Sequence, residues 1–419
     1  MAVLTSPDRR VTRRPVAAQT ATRRSLVAEW FAHPDADFYL VLAPAVLLLV
    51  VGIMEVLSAS SVYAYVHTQD AYYFVKRQAV FLVVGAVAAF GITRLSAARL
   101  RAISWVGLAG VFVLELLTFT PLGVGVNGNR NWVQLGTSFL QLQPSELAKL
   151  VLIVWGADVF ARKHRGKLLA DTRHILVPFL PVTAVFILMV AVQGDLGTAL
   201  LLAMIAVAML WFAGAPWKTL GLLFVVAGVG VLTLVATSAN RMSRIFGFLN
   251  QNADQLGTNQ QPIRAMYALA TGGWWGLGLG ASRQKWGGLV EAHTDYILAV
   301  VGEELGLVGV LVVFALFVTL GVAGFRIALR STDKFSQWAA AGVTVWIMAQ
   351  ALVNILVVFR LLPVVGVTLP FMSYGGSSLV ASMCGLGVLL ACARREPEAL
   401  RLHARRRDPG FSAVLGSWR

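Results

Sequence analysis

A cluster of ionisable residues directly before a long apolar segment is the first place in this sequence where chemistry could occur. Asp295 precedes the apolar run 296–325, and Lys285, Glu291 and His293 lie within about ten residues of it. A carboxylate in such a cluster can accept a proton from a substrate. Alternatively, Asp295 could be a plain N-cap that accepts a hydrogen bond from the next helix. The neighbouring charges make a cap alone a less complete explanation.

A second cluster combines an acid and a base at the start of an apolar run. The string QLQPSELAK contains Pro144, which suits the first turn of a helix, and Glu146 and Lys149. These two residues are three positions apart, so they share one helix face. They form either an internal ion pair or a polar pair that faces a cavity open to the outside.

Two short polar strings lie between other apolar runs. In NGNRNW, the planar guanidinium of Arg130 suits a phosphate, and Trp132 suits a membrane interface. In QGDLGT, Asp195 could cap the following helix or could take part in function. The sequence leaves both interpretations of Asp195 open.

A stretch rich in Pro and Gly precedes the last apolar run. It extends from Leu361 to Ser377 and Ser378 and contains the string LPFMSYGG. Irregular backbone at membrane depth is tolerated only where it is buried in protein or lines a cavity. The stretch is therefore predicted to be a re-entrant segment that lines a cavity.

The composition demands lipid as the surrounding solvent. Of 419 residues, 58% are hydrophobic and 13% are charged, whereas soluble domains carry about 25% charge. The fold class expected is an all-α polytopic membrane protein with about ten transmembrane helices. Apolar runs of spanning length fall at 38–59, 78–93, 102–119, 145–161, 174–193, 197–213, 218–238, 296–325, 337–359 and 376–393.

The placement of Lys and Arg orients these helices. Basic residues concentrate in alternate loops and in both tails, which predicts that both termini are cytoplasmic. Residues 1–37 and 394–419 are then basic cytoplasmic tails around a transmembrane domain at 38–393, and 239–295 is a large extracytoplasmic loop between helices 7 and 8. The net charge of +15 is better explained by topology and contact with anionic membrane lipids than by nucleic acid. The cysteine and histidine spacings predict neither a disulfide nor a structural zinc site.

Several strings together resemble one protein family. QPSELAK, QGDLGT, GLGLGASRQKW, EAHTDYILAVVGEELG and LPFMSYGGSS occur here in the order found in the SEDS family (shape, elongation, division and sporulation). The resemblance extends from about Phe38 to Ala393, and Ser282–Lys285 looks more like the division branch than the elongation branch. The chain departs from the family at Gln260, Val290 and Arg360, where aromatic, proline and glycine residues are usual.

The resemblance implies a peptidoglycan polymerase of the bacterial plasma membrane, with its active site facing outside. It would join lipid II disaccharides and release undecaprenyl pyrophosphate, with inversion of the anomeric carbon. Asp295 would be the catalytic base, and the substrate-binding residues would be Arg130, Glu146, Lys149, Asp195, Lys285, His293, Ser377 and Ser378.

The resemblance also implies partners and leaves alternatives. A divalent cation, Mg or Mn, could assist, with Glu146 and Asp295 as candidate ligands. The expected partners are a class B penicillin-binding protein, which is a single-span transpeptidase, and other division proteins. The rival functions are a flippase that moves the same lipid and a purely structural scaffold. A transporter would favour midplane charges and inverted repeats, but here the charged motifs gather near the outer ends of the helices.

Overall fold

The transmembrane domain is a bundle of ten long helices in the computed structural model, which describes residues 33, 35–126, 129–134, 136, 141–250 and 259–397. The ten predicted segments are confirmed, and seven of the helices satisfy length and apolarity criteria for crossing a membrane on their own. The helices are α1 (Ala36–Thr68), α2 (Tyr73–Arg94), α3 (Ala97–Leu117), α4 (Pro144–Arg165), α6 (Phe179–Val192), α7 (Leu196–Phe212), α8 (Trp217–Ala236), α11 (Ile297–Arg330), α12 (Lys334–Val358) and α13 (Gly376–Ala393). A short helix, α5 (Thr172–Leu176), precedes α6.

Ion pairs fix which helix ends share a side of the bundle. At the start of α1, Asp37 pairs with Arg326 at 2.8 Å and with Arg330 at 3.0 Å near the end of α11. Arg395, just after α13, donates to the carbonyl oxygen of Leu95 between α2 and α3. The two ends of the bundle that lead into the tails therefore lie on one side, as predicted. Most of both basic tails lies outside the described residues.

Packing is tightest around α4, α12 and α13. The largest fully buried side chains include Trp155 of α4 and Trp346 of α12. In contrast, α8 buries only Leu220 and Val235. Apolar side chains at the outside of such a bundle face lipid rather than water, so their exposure carries no cost.

The opposite side carries structure that the sequence patterns did not predict. A three-stranded antiparallel sheet, β1 (Gly123–Val126), β2 (Asn129–Gln134) and β3 (Gln141–Leu142), stands before α4. The fold is thus all-α in its membrane part only. The large loop contains α9 (Ala239–Leu249), which was not expected, and α10 (Gln260–Gly272).

A break in α11 shapes the rest of this loop. Gly306 has φ 69° and ψ −168°, and the backbone on either side of it binds the glycine-rich segment that follows α10. The amide of Leu277 donates to the carbonyl of Glu303 at 3.0 Å, and the amide of Leu307 donates to the carbonyl of Gly273 at 2.9 Å. Polar backbone groups freed by the break are therefore satisfied by the segment rather than left unpaired.

Candidate active site

A cavity of about 710 Å³ opens on the side opposite the tails. Its walls come from the β-sheet, the turn between α6 and α7, the helices α8 and α9, the residues just before α11, and the re-entrant segment before α13. Such a volume accommodates a substantial ligand. Its charged lining residues are Asp195, Glu291, Asp295, Arg77, Arg241 and Arg244.

Asp295 lies in the wall of this cavity with its backbone held from two directions. The Nδ2 atom of Asn354 on α12 donates to the carbonyls of Asp295 and Val367, both at 2.7 Å. The amide of Tyr374 donates to the carbonyl of His293 at 2.9 Å. The re-entrant segment and α12 together therefore hold the backbone that carries this carboxyl group.

The alternative role of Asp295 as a helix cap does not fit this geometry. The N-cap position of α11 is Tyr296, and no side chain makes a capping hydrogen bond there. A Cβ placed on Gly366, whose φ is 70°, would stand 3.6 Å from Oδ2 of Asp295. The absence of a side chain at Gly366 therefore leaves space in front of the carboxylate.

The surroundings of Asp295 favour its protonated form. Burial away from water raises its pKa to about 7, the neighbouring carboxylates of Glu291 and Asp195 add to the effect, and Arg244 opposes it. Glu291 itself has a φ of 58° and lines the same cavity. A carboxyl group whose pKa lies near neutrality can take and release a proton at physiological pH.

Asp195 serves both as a helix cap and as part of the cavity wall. Its Oδ1 accepts from the amide of Thr198 at 2.9 Å, which caps α7. Its Oδ2 accepts from Asn131 at 2.9 Å and from Gln143 at 2.8 Å, so β2 and the residue before α4 converge on it. The two interpretations of this residue are therefore compatible.

Three arginines in the cavity were not among the predicted site residues. Arg241 and Arg244 lie on α9, and Arg77 lies in the first turns of α2. Arg241 donates to the carbonyls of Leu234 at 3.0 Å and Gly194 at 3.2 Å, which holds its guanidinium at the cavity wall. The spacing of three between Arg241 and Arg244 puts them on one helix face, and this was the available sequence signal.

Glu146 and Lys149 lie behind the cavity instead of lining it. Lys149 is fully buried, and its Nζ donates to Glu146 at 2.8 Å and to Gln350 at 2.8 Å. Gln350 in turn approaches Oγ of Ser378 at 3.5 Å, and Ser378 lines the cavity. The pair is thus an internal ion pair, and hydrogen bonds connect it to the wall.

Four other predicted binding residues also lie away from the cavity lining. Arg130 donates to the carbonyls of Gly123 at 3.3 Å and Thr120 at 2.7 Å, because its side chain folds back over its own hairpin. Ser377 is buried and accepts from the amide of Gln143 at 2.9 Å. These two residues support the walls.

Lys285 and His293 face other surroundings. Lys285 lies 3.9 Å from Glu304 on α11, at the glycine-rich segment. The ring of His293 packs against Phe74 at 4.7 Å and Tyr374 at 5.5 Å between ring centroids. Burial lowers the pKa of His293, while Glu291 acts in the opposite direction. Like these two residues, Arg130 and Lys149 were expected to bind substrate, but neither of their side chains lines the cavity.

The predicted re-entrant segment does line the cavity. Pro363, Gly366, Thr368 and Tyr374 contribute to its wall. Within the described residues, no group of three or more His, Cys, Asp or Glu side chains is arranged to hold a metal ion. Glu146 and Asp295 do not converge, so the residues present do not form a metal centre by themselves.

Comparisons with known proteins agree with this architecture. Residues 39–398 match the model of the cell cycle protein family that includes FtsW, RodA and SpoVE. A probable peptidoglycan glycosyltransferase FtsW from Mycobacterium tuberculosis is 35% identical over 398 residues, which cover 94% of this chain and 75% of that protein. The stage V sporulation protein E of Bacillus subtilis is 37% identical over 350 residues, covering 83% and 94%.

A solved structure shares the fold. A chain from a peptidoglycan synthase complex, described as coordinating polymerization and crosslinking, aligns with a TM-score of 0.68 and 27% identity over 85% of this chain and 97% of that chain. The ten-helix bundle, the cavity on the side opposite the tails and these matches lead to one conclusion: this chain belongs to the FtsW, RodA and SpoVE family, the SEDS family of polytopic membrane proteins.

Proposed function

We propose that this chain polymerises lipid II in the outer cavity, with Asp295 as the catalytic base. The chain is a peptidoglycan glycosyltransferase, the activity that is printed for its Mycobacterium tuberculosis relative. The observation that supports the mechanism best is the coexistence, in one cavity, of a carboxyl whose pKa is about 7 and three arginines. The first can accept a proton from a sugar hydroxyl, and the others can bind phosphate.

The proposed reaction is a single displacement at an anomeric carbon. The 4-hydroxyl oxygen of one sugar attacks C1 of another, and its proton passes to a carboxylate oxygen of Asp295. The bond between C1 and the phosphate oxygen breaks, and its electron pair leaves with the lipid pyrophosphate. One base acting opposite the leaving group inverts the configuration at C1, as in inverting glycosidases.

The developing charge on the leaving pyrophosphate requires cations. Arg77, Arg241 and Arg244 are placed for this role, in place of Arg130, Lys149 and Lys285, because only the former line the cavity. Preorganised donors of this kind stabilise charge without reorganising during the reaction. Arg241 is already fixed by two backbone carbonyls.

The lipid tail requires an apolar route out of the cavity. Val192 of α6, Leu196 and Leu200 of α7, and Val231 and Val235 of α8 form an apolar part of its lining. Because α8 buries few of its side chains, the rest of its surface faces the bilayer. This helix therefore stands between the cavity and the lipid. A prenyl chain could leave between these helices without crossing the polar part of the cavity.

We also propose a divalent cation, Mg or Mn, whose ligands would come mainly from the pyrophosphate, as these hard ions prefer oxygen donors. No step above depends on it. Polymerisation that continues unchanged in excess EDTA would exclude the cation.

A transpeptidase partner is proposed from the solved complex that coordinates polymerization and crosslinking. For this chain, the partner would be a class B penicillin-binding protein at the outer face of the plasma membrane. The division branch is supported by relatives named FtsW. Depletion in the native host should block septation before cell width changes, and the transpeptidase should co-purify. Rounded cells that still divide would instead indicate the elongation branch.

The central test is a single substitution. Asp295→Asn keeps the size of the side chain but removes the proton acceptor, so glycan synthesis should fall by about 10²–10⁴-fold. The measurement is glycan product from purified protein and lipid II, resolved on a gel. Asp70→Asn is the matched control, because Asp70 pairs with Lys76 on the same side but outside the cavity lining. Near-normal synthesis by Asp295→Asn would remove Asp295 from the mechanism.

A further inference from the structure

Glu115 is a buried acid that the mechanism above does not use. It is the one charged residue of the apolar run 102–119, and it lies in the last turn of α3, at the end of the bundle where the cavity opens. Its side chain is fully buried, and no salt bridge joins it to any residue that the structure describes. The charged group that acts on it is Asp195, whose charge has the same sign. An acid this deep in a membrane protein costs free energy, so it indicates a specific partner and a function.

Gln193, in the turn between α6 and α7, binds the carboxyl group of Glu115. Its Nε2 donates to Oε2 of Glu115 at 2.7 Å. Gln193 is itself buried, and it lines the cavity. The other oxygen of each side chain, Oε1 of Glu115 and Oε1 of Gln193, is buried without a hydrogen-bond partner among the described residues. Leaving a buried oxygen without a donor is unfavourable, and here two such oxygens belong to one bonded pair.

A single proton on Oε1 of Glu115 satisfies both oxygens. In a planar pair of a carboxylic acid and an amide, one oxygen of the acid accepts from the amide N–H, and the hydroxyl of the acid donates to the amide oxygen. The first of these two bonds is present here, so the hydroxyl belongs on Oε1. An ionised Glu115 has no hydrogen to donate. It would leave both oxygens unsatisfied and would place an unpaired buried charge close to Asp195.

The turn that contains Gln193 organises one wall of the cavity. The carbonyl of Gln193 accepts from the amide of Arg130 in the sheet at 2.9 Å. The carbonyl of the next residue, Gly194, accepts from Nη2 of Arg241 at 3.2 Å. Glu115 therefore supports, from behind, the turn that fixes one of the arginines proposed to bind the leaving pyrophosphate.

We propose that Glu115 is a positioning residue, held in its protonated form by a two-point hydrogen bond with Gln193, and that it acts on the reaction through Arg241. Glu115 does not line the cavity, so its role is to keep the carbonyl of Gly194 in place for the guanidinium. The effect on catalysis rests on the proposed function, whereas the protonated pair does not.

Infrared spectroscopy of the purified protein at pH 7, without lipid II, tests the protonated pair. The carbonyl stretch of a carboxylic acid is separate from the bands of a carboxylate. Subtracting the spectrum of Glu115→Gln from that of wild type should therefore leave one acid band, which shifts in D₂O. Asp158→Asn is the matched control, because Asp158 is equally buried but pairs with Arg101 and Arg162, so its replacement should remove no acid band. A Glu115→Gln difference spectrum without an acid band overturns the proposal.

Two substitutions of Glu115 separate its hydrogen bonds from its charge. Glu115→Gln replaces the acid by an amide that can make the same two bonds, so the melting temperature and kcat/KM for lipid II should stay at the wild-type values. Glu115→Met has a similar length but makes neither bond, so kcat/KM should fall about tenfold. If Glu115→Gln is as impaired as Glu115→Met, the charge is required and the neutral pair is overturned. Should Glu115→Met fail to fold, Glu115→Gln and the infrared difference still decide the protonated pair.

A double-mutant cycle with Arg241→Gln tests whether the effect passes through Arg241. If it does, adding Glu115→Met to Arg241→Gln should change kcat/KM by no more than about twofold, because two residues that act as a unit are not additive. A further loss of about tenfold in that background would make Glu115 a general support of the fold and overturn its positioning role. If wild type makes no glycan, the proposed function fails. Binding of inorganic pyrophosphate by calorimetry then replaces kcat/KM in the same cycle, and the infrared test still judges the pair.

Discussion

A carboxyl group can act as a base only while it is deprotonated, so the raised pKa of Asp295 limits the pH range of the enzyme. Its pKa of about 7 arises from burial, with contributions from Glu291 and Asp195. As pH rises through 7, the active form becomes dominant, and kcat/KM should rise with a midpoint near that value. Below it, the rate should fall about tenfold per pH unit. Rates with lipid II across pH 5–9 provide the measurement.

Glu291→Gln tests the electrostatic cause of this midpoint. Removing the negative neighbour should lower the pKa of Asp295, so the acid limb of the profile should move to lower pH. His293→Asn is the control, because the pKa of His293 is shifted downwards and its ring lies among aromatic rings. If His293→Asn shifts the midpoint and Glu291→Gln does not, the titrating group is not Asp295.

Of the residues that line the cavity, the sequence pointed to two acids, Asp195 and Asp295, and to none of the arginines. Asp295 and Asp195 were recognisable because each stands in a polar string beside an apolar run. Arg77, Arg241 and Arg244 were missed, since a basic residue near a membrane surface is common and its sequence position does not reveal which way it points. Lys149 was assigned to the substrate site, but packing of α4 among other helices buries it completely.

The break in α11 is the element on which the outer loop depends. A Cβ on Gly306 would overlap the carbonyl of Trp274 and the amide of Gly276, and its φ and ψ belong to a region used almost only by glycine. Gly306→Ala should therefore lower the free energy of unfolding by at least about 2 kcal/mol. Since α11 begins just after Asp295, glycan synthesis should fall as well.

Gly228→Ala provides the matched control for this substitution. Gly228 lies inside α8, and a Cβ there meets nothing within 4 Å. Alanine should be neutral or slightly stabilising in a helix interior. Thermal melting of both variants in the same detergent is the comparison, and an unchanged melting temperature for Gly306→Ala would show that the break is not rigid.

The elements that the sequence predicted are long and apolar, whereas those that it did not predict are short and more polar. The ten long helices follow from apolar runs, because a span must satisfy its backbone internally and expose apolar side chains. The sheet around Arg130 and the helix α9 consist of polar and short segments, whose structure depends on contacts with residues distant in sequence. The hydrogen bonds from Asn131 and Gln143 to Asp195 are examples that no local pattern encodes.

Across the whole molecule, charge is divided between the two ends of the bundle. On the side of the tails, basic residues near the helix ends form ion pairs with buried acids. Arg101 and Arg162, for example, both pair with Asp158. The opposite end holds the cavity, with Asp295 and the lining arginines. A polymerase that uses an exported lipid-linked sugar requires this polarity, since its reactive groups must open away from the cytoplasm.

The last prediction concerns this orientation. Basic loops are retained in the cytoplasm during insertion, so the end of α4 should be inside and the segment after α10 outside. Cysteines replacing Arg165 and Trp275 test these positions; both side chains are exposed, and Trp275 is 83% exposed. The background must lack Cys384 and Cys392, the two native cysteines. An impermeant maleimide added to intact cells should label the cysteine at 275 only, and permeabilised cells should expose the cysteine at 165. Labelling only of the cysteine at 165 would reverse the orientation and place Asp295 on the wrong side for the proposed reaction. Labelling of both cysteines from outside would contradict the ten-helix topology.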